Sequence, residues 1–345
     1  MTIDTFSSFR ESFFALVKNA ENIIITSHYS PDDDSIGSVL SLYQILKNNY
    51  QNKNIRIIYT GVPVSRYSVI PYFEHIEWVS DVSEYVKHSD VWVFLDANQY
   101  GRFSKQSDIL EQVSVSICID HHASLPDKFS LVLIDPTITS TSELIYRAFD
   151  LENNITKDLA QSVLLGILGD TGNFSYVPPS QSGVFLIAKH LVETVGMPID
   201  GFRARYGGIP KRIIPLLQEL VKNTTYSNIS GWPDGQYSFI DRDVLSMSQY
   251  SDEDISAASH IYMGQYLPRV EGYTWGFVIT PRTDSTCRMS GRSLPGSVNV
   301  RDLHERLGIG GGHDRASGGY FVEIDPSVCI LKVLEWMKEN KPLLK

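Results

Sequence analysis

The sequence predicts an α/β chain: a mostly parallel sheet of five or six strands flanked by helices, joined by a helical linker to a smaller α+β domain. Three observations carry this. Over residues 1–192, short β-branched runs alternate with apolar residues at helical spacing. Between 193 and 222, VGMPIDGFRARYGGIPKRIIPLLQELV sets a Gly- and Pro-marked turn ahead of an amphipathic helix. From 223 to 345 the texture changes to alternating strands with two or three helices.

The elements follow in order. Phe6–Val17 has the apolar spacing of a helix, and Ile23–Thr26 is the first buried strand. Ile36–Leu46 returns to helical spacing, and Ile55–Tyr59, Val91–Leu95, Val115–Ile119 and Leu131–Ile134 read as further strands. Their continuous apolar character suits a parallel sheet covered on both faces. Helices are expected around Ser142–Phe149, Lys157–Leu168 and Ser182–Val192. In the second domain TTYSNIS, GQYSFID, YTWGFVIT, STCRMSGRS and GGYFVEID read as strands.

Composition bounds the function. The chain has 345 residues with 30 Lys and Arg against 40 Asp and Glu, a net charge of −10. An acidic chain does not coat long nucleic acid through a broad basic surface. No apolar run approaches the ~18 residues of a membrane span. The start, MTIDTFSSFRESFF, lacks a basic stretch ahead of an apolar one and does not read as a signal peptide. Cys118, Cys287 and Cys329 are odd in number and form no CxxC, which leads to an expectation of reducing, cytoplasmic surroundings. Cys118 and the tryptophans read as core, and His75, His88, His190, His260 and His304 as surface or helix residues.

Chemistry gathers at strand ends. Ile23–Thr26 runs into Ser27-His28-Tyr29-Ser30-Pro31-Asp32-Asp33-Asp34, Val91–Leu95 ends on Asp96, and Val115–Ile119 ends on Asp120-His121-His122. One Asp after a strand is usually a turn or cap. Three such endings would converge on the crevice beyond the carboxyl ends of an open sheet. Extended backbone puts His28, Asp32 and Asp34 on one face and turns Asp33 away. Carboxylates so close need a cation between them. Histidine plus carboxylate without thiolate favours Mn²⁺ or Mg²⁺, with Zn²⁺ as a further candidate and Mn²⁺ preferred. Asp170 closes a predicted helix, where the dipole disfavours an anion unless a metal is near. Tyr100, Arg102 and Phe103, just after Asp96, are candidates to touch substrate.

In the second domain Gly310-Gly311-Gly312-His313 invites an anion to approach backbone N–H groups, with a following helix N-terminus adding its dipole. Arg288 and Arg292 lie upstream. The window 281–315 holds six Arg and four acids, a net of +2 inside a chain of −10. Arginine forks suit phosphate oxygens.

These motifs, in this order, resemble the DHH/DHHA1 phosphoesterases, and the two-domain plan is most similar to their NrnA-type oligoribonuclease and pAp phosphatase branch. His28-x-x-x-Asp32-x-Asp34-x-x-Gly37-Ser38, Asp96, Asp120-His121-His122, Asp170 and Gly310–His313 carry the resemblance over nearly the whole chain. It implies a catalytic DHH domain over 1–192, a substrate-binding DHHA1 domain over 223–345, and an active site in the cleft between them. It assigns His28, Asp32 and Asp96 to one metal, and Asp34, Asp96, His121 and Asp170 to another, with Asp96 bridging. Asp120 would orient a neighbouring histidine, and His122 would lie near the scissile phosphate as ligand or proton donor. Gly310, Gly311, Gly312 and His313 would bind substrate, Arg292 a phosphate. A homodimer is implied as well. Asp33 departs from the family, which usually has Gly there.

The expected activity is two-metal hydrolysis, with two Mn²⁺ ions (or Mg²⁺) ~3.5–4 Å apart. Short oligoribonucleotides and dinucleotides such as pApA would give 5′-mononucleotides, and pAp would give AMP. The alternatives are a soluble cyclic di-AMP phosphodiesterase and a non-catalytic nucleotide-binding module. A pyrophosphatase of this family lacks the GGGH run, and a RecJ-like exonuclease is longer.

Overall fold

A computed structural model of the chain describes residues 3–61, 63–244 and 250–345. The chain divides into two compact units, Met1–Gly208 and Ile209–Lys345. That division falls inside the segment 193–222 read from the sequence as a linker.

The first unit runs α1 (Ile3–Lys18), β1 (Asn22–Ser27), α2 (Asp33–Asn49), β2 (Asn54–Tyr59), β3 (Ile76–Trp78) and α3 (Ser83–Lys87). It continues with β4 (Val91–Leu95), α4 (Tyr100–Phe103), α5 (Ser107–Leu110), β5 (Ser116–Asp120) and β6 (Leu131–Ile134). Four helices complete it: α6 (Thr141–Ala148), α7 (Lys157–Asp170), α8 (Val184–Val195) and α9 (Ile199–Tyr206). The six strands are all parallel, in the order β3-β2-β1-β4-β5-β6.

Strand alternation sends both faces into core. Ile23, Ile25, Val91, Val93 and Leu95 join Phe13, Leu40, Leu144 and Leu164 on one side. Ile24, Trp92 and Phe94 join Tyr100, Phe103 and Leu110 on the other. Burial on both faces favours apolar runs, which is why five of the six strands are readable from sequence. The sixth, β3, is a three-residue edge strand whose central Glu77 pairs with Arg56 of β2, so it carries no apolar run.

The strand order reverses between β1 and β4, the switch point where ligands bind in open sheets of this kind. Ser27 is in register with Leu95, and its hydroxyl donates to the Leu95 carbonyl at 2.7 Å. The next residues on each strand, His28 and Asp96, therefore emerge side by side.

The second unit holds α10 (Ile214–Lys222), β7 (Thr225–Ser227), β8 (Gly235–Phe239), α11 (Asp252–Gln265) and β9 (Trp275–Pro281). After these come β10 (Cys287–Ser293), α12 (Val300–Arg306), β11 (Gly310–His313), β12 (Ala316–Phe321) and α13 (Pro326–Glu339). Its six strands order as β11-β12-β10-β9-β8-β7, with β8 and β9 parallel and the other neighbours antiparallel. Trp275, Phe277, Ile279, Cys287 and Met289 pack one face against Leu303, Cys329 and Val333.

Here one expectation is corrected. Gly310–His313 is not a loop opening a helix; it is edge strand β11, paired with β12 through Gly310↔Gly319 and His313↔Ala316. The helix lies before the run, not after it. The glycines serve close strand approach: a Cβ at Gly312 would come within 2.8 Å of the Ala316 carbonyl. Among the described residues, no helix is long and apolar enough to cross a membrane.

Candidate metal centre

The first turn of α2 sets the site. Asp32 is its N-cap, extended at φ −120°, and its Oδ1 accepts from Ser35 N at 3.0 Å. Tyr59 of β2 donates to the Ser35 carbonyl at 2.9 Å and holds that turn down. Because the helix begins at Asp33, neighbouring side chains diverge by the helical angle rather than alternating. Asp33 turns to Arg66 and Tyr67, while Asp34 points into the protein.

Asp34 is fully buried and is gripped by a second helix. Thr141 N donates to its Oδ2 at 2.6 Å and Ser142 N to its Oδ1 at 2.9 Å. These are two of the orphan donors that open α6, so Asp34 sits at the positive ends of two helices. Ser140 caps α6 and accepts from Glu143 N at 3.0 Å.

Asp96, beyond β4, takes a left-handed backbone at φ 60°. For a non-glycine residue this costs roughly 1 kcal/mol, and it turns the carboxylate back over the strand ends. His28 Nε2 lies 3.3 Å from Asp96 Oδ2 and 3.7 Å from Asp32 Oδ2. His121 Nε2 lies 2.9 Å from Asp170 Oδ2 and 3.7 Å from Asp96 Oδ1. Thr141 Oγ1 donates to Asp96 Oδ1 at 3.0 Å.

Among the donor groups around Asp96 are His28, Asp32 and Asp96, then Asp34, Asp96, His121 and Asp170, and also Asp96, Asp120 and His122. Within each group the ligand atoms lie within 4.8 Å of one another. Asp32 is the open member, with 53% of its side chain exposed.

Electrostatics fit a cation here. Burial first, then the charges of Asp34, Asp32 and Asp170, hold the Asp96 carboxyl well above the usual carboxylate range. Burial and Asp34 likewise push Asp170 up to about 7, against the pull of His121. Burial works to lower the His121 imidazole, yet Asp170, Asp96 and Asp34 outweigh it and raise it well above the ordinary value. Buried, mutually repelling carboxylates beside imidazoles are a donor set that suits a divalent ion.

Asp120 ends β5 and is fully buried. Its Oδ1 accepts from His121 N at 2.8 Å, His122 N at 3.2 Å and His122 Nδ1 at 2.7 Å. Burial alone would raise this carboxyl, but His122 and His121 bring it below its ordinary value. The His122 ring is thereby fixed with Nε2 facing away from Asp120. Asn98 ties the following loop to β4 by accepting from Ser124 Oγ at 2.7 Å and donating to the Ser124 carbonyl at 3.1 Å.

Tyr100 and Phe103 are packed in the core around Phe94 and cannot reach a ligand, whereas the Arg102 side chain is exposed on α4. In the second unit, Arg288, Ser290 and Arg292 share one face of β10, in register with Tyr320, Gly318 and Ala316. His313 pairs with Ala316 on that same side of the sheet. Arg292 Nη1 donates to the Gly291 carbonyl at 3.0 Å, and other arginines of the window are paired as well. Arg282 pairs with Asp252, Arg301 with Asp314 and Arg306 with Asp302, while Arg315 Nη1 donates to the Leu294 carbonyl at 2.8 Å. The basic surface is thus narrower than six arginines suggest. His304 is buried beneath it rather than at the surface.

Sequence reasoning missed Thr141, Ser142, Asn98 and Gly166. The Ser140-x-x-Glu143 spacing is a helix-start signal that could have found the first two. Nothing local marks Asn98.

Residues 22–167 match the model of the DHH family, N-terminal domain. That match lies wholly within the first unit. A probable bifunctional oligoribonuclease and PAP phosphatase NrnA from Streptococcus mutans is 29% identical over 53% of this chain and 56% of its own length. Cyclic-di-AMP phosphodiesterase PdeA from Listeria monocytogenes is 24% identical over 86% of this chain but 44% of itself. These two matches therefore span about half the length of each relative. The bifunctional NrnA of Thermus thermophilus is 26% identical over 92% of this chain and 90% of its own. The crystal structure of an exopolyphosphatase-related protein from Bacteroides fragilis superposes with a TM-score of 0.82 at 24% identity, over 96% and 97% of the two chains. That likeness concerns the fold.

Proposed function

We propose that this chain is a two-metal phosphoesterase hydrolysing short oligoribonucleotides and dinucleotides such as pApA to 5′-mononucleotides, and pAp to AMP. The observation that carries the reading is Asp96, shared by the donor groups of His28 and of His121 at the sheet's switch point. The NrnA relative that aligns over nine-tenths of both chains supports the substrate class.

His28, Asp32 and Asp96 would hold one divalent ion, and Asp34, Asp96, His121 and Asp170 the other. Mn²⁺ suits this mixed imidazole and carboxylate set, with Mg²⁺ as the alternative. Two such ions supply Lewis acidity to the phosphoryl oxygens and to the attacking water. Asp120 accepts a hydrogen bond from His122 Nδ1–H and so orients the ring for Nε2 to hand a proton to the departing ribose oxygen. Arg292, Gly310–Gly312 and His313 are assigned to substrate contact in the second unit. Arg102, exposed after Asp96, is a candidate for the same role. A cyclic dinucleotide substrate is the second reading, favoured by the match to PdeA over 86% of this chain.

The test is kcat/KM with Mn²⁺ for pApA, a 5-mer RNA, pAp, cyclic di-AMP and pyrophosphate, measured side by side. The linear short substrates should lead. Cyclic di-AMP leading selects the second reading, and pyrophosphate leading by a large factor overturns both. Asp96→Ala should lose about 10³-fold or more in kcat/KM. Its metal-free melting temperature should hold or rise, because a buried, repelled carboxylate has gone. Mn²⁺-dependent turnover near wild type in that variant would refute the shared role of Asp96.

A further inference from the structure

Asp33, where the family usually has Gly, has a built partner. Its Oδ1 accepts from Arg66 Nη2 at 2.6 Å and from Tyr67 Oη at 2.5 Å, and Arg66 Nη2 also donates to Tyr67 Oη. The guanidinium carbon lies 4.4 Å from the centroid of the Tyr67 ring. The short 3₁₀ turn that carries both residues, Ser65–Val69, is itself anchored. Arg205 of α9 donates to the Val69 carbonyl at 3.0 Å and to Gln161 at 2.6 Å. Tyr206 stacks on Tyr67 at 6.4 Å between ring centroids. A loose surface ion pair would have none of this support.

Asp33 does not require this guanidinium. It lies in the first turn of α2, where the helix dipole already favours an anion. Arg66 spends only Nη2 on Asp33 and Tyr67. Its Nε and Nη1 protons have no acceptor among the described residues, and 35% of the side chain is exposed. Asp33 stands between the metal-group residues Asp32 and Asp34, and the exposed side of that centre is the Asp32 side. Beside ions that neutralise the carboxylates, a pre-positioned arginine with unused donors matches one incoming chemistry, phosphate oxygen.

We propose that Arg66, held by Asp33 and Tyr67, binds a second phosphate of the substrate, the terminal 5′-phosphate beyond the bond being cleaved. The inference rests on the oligonucleotide reading above and deepens it. Arg66 makes the enzyme prefer substrates that end in a phosphate. In a dinucleotide only one phosphodiester can be cleaved, so pApA and ApA differ in this contact alone.

The experiment compares kcat/KM for pApA and ApA, with Mn²⁺, in wild type, Arg66→Met and Arg66→Lys. Wild type should prefer pApA by about tenfold or more. Arg66→Met should lose about 10- to 100-fold on pApA while ApA stays within about twofold, so that the preference collapses. Arg66→Lys keeps the charge without the fork and should fall between, and it carries the test if Arg66→Met does not fold. An equal loss on both substrates would mean that Arg66 only supports the turn, and no loss would mean it touches nothing; either overturns the proposal. A wild-type enzyme inactive on both dinucleotides instead removes the oligonucleotide reading, and this proposal with it.

Discussion

Asp120 and His122 illustrate how much one hydrogen bond decides at this site. All three donors that Asp120 receives go to Oδ1, and one of them is the His122 ring. A neutral amide in its place could present its oxygen to those donors but would lose the charge that orients the imidazole and keeps its Nδ1 proton in place. Asp120→Asn should therefore lower kcat by about 10- to 100-fold with little change in KM. Steady-state kinetics on pApA checks this, and a fall confined to KM would assign His122 to binding instead. Residues of this kind were readable from sequence because charged groups at the ends of apolar strands have no reason to be there except chemistry or capping. Asn98 and Thr141 were not. Their roles depend on where a distant loop and a second helix arrive, and neither residue type is unusual in a turn.

Helices α2 and α7 cross where glycine meets glycine. A Cβ at Gly37 would come within 2.6 Å of the Ser162 carbonyl and 2.8 Å of Gly166 N, and a Cβ at Gly166 would collide with Ser142 Oγ and Asp34 Oδ1. The crossing thus sets both the spacing of two helices and the seat of a carboxylate at the metal centre. Gly166→Ala gains helix propensity of roughly 1 kcal/mol, but overpacking costs ~1–3 kcal/mol and the displaced groups include Asp34. The variant should unfold at lower denaturant and need a higher Mn²⁺ concentration for half-maximal activity. Unchanged Mn²⁺ dependence would show that Asp34 tolerates the shift. At this scale the sequence was informative where periodicity was long. Strands β1, β2, β4, β5 and β6 and the long helices were visible, because burial on both sheet faces leaves unbroken apolar runs. Strand β11 was hidden, because three glycines carry no side-chain pattern and their backbone pairs just as well in an edge strand as in an anion-binding loop.

The chain's net charge of −10 is not spread evenly, and its two units answer to different solution variables. Asp32, Asp34, Asp96 and Asp170 put four carboxylates into the first unit's centre, where divalent cations would stabilise the fold by mass action. The second unit has its own buried titratable group. His304 of α12 is fully buried, donates from Nδ1 to the Val300 carbonyl at 2.7 Å, and lies against Gly291 of β10. Burial first, with the nearby charges of Arg288 and Arg292 adding to it, lowers its pKa from 6.5 to about 4. An unfolded chain therefore takes up a proton at His304 between about pH 6.5 and 4 that the folded unit refuses. The stability it contributes is complete above 6.5 and falls as pH drops through that window, by up to about 1.4 kcal/mol per pH unit. Urea unfolding of the full chain between pH 7 and 4.5 measures this, and His304→Gln, which retains a donor for Val300, should flatten the slope. Carboxylates titrate alike in both proteins, so the difference isolates His304. Identical slopes would mean that His304 is protonated within the fold, which its burial beneath two arginines opposes.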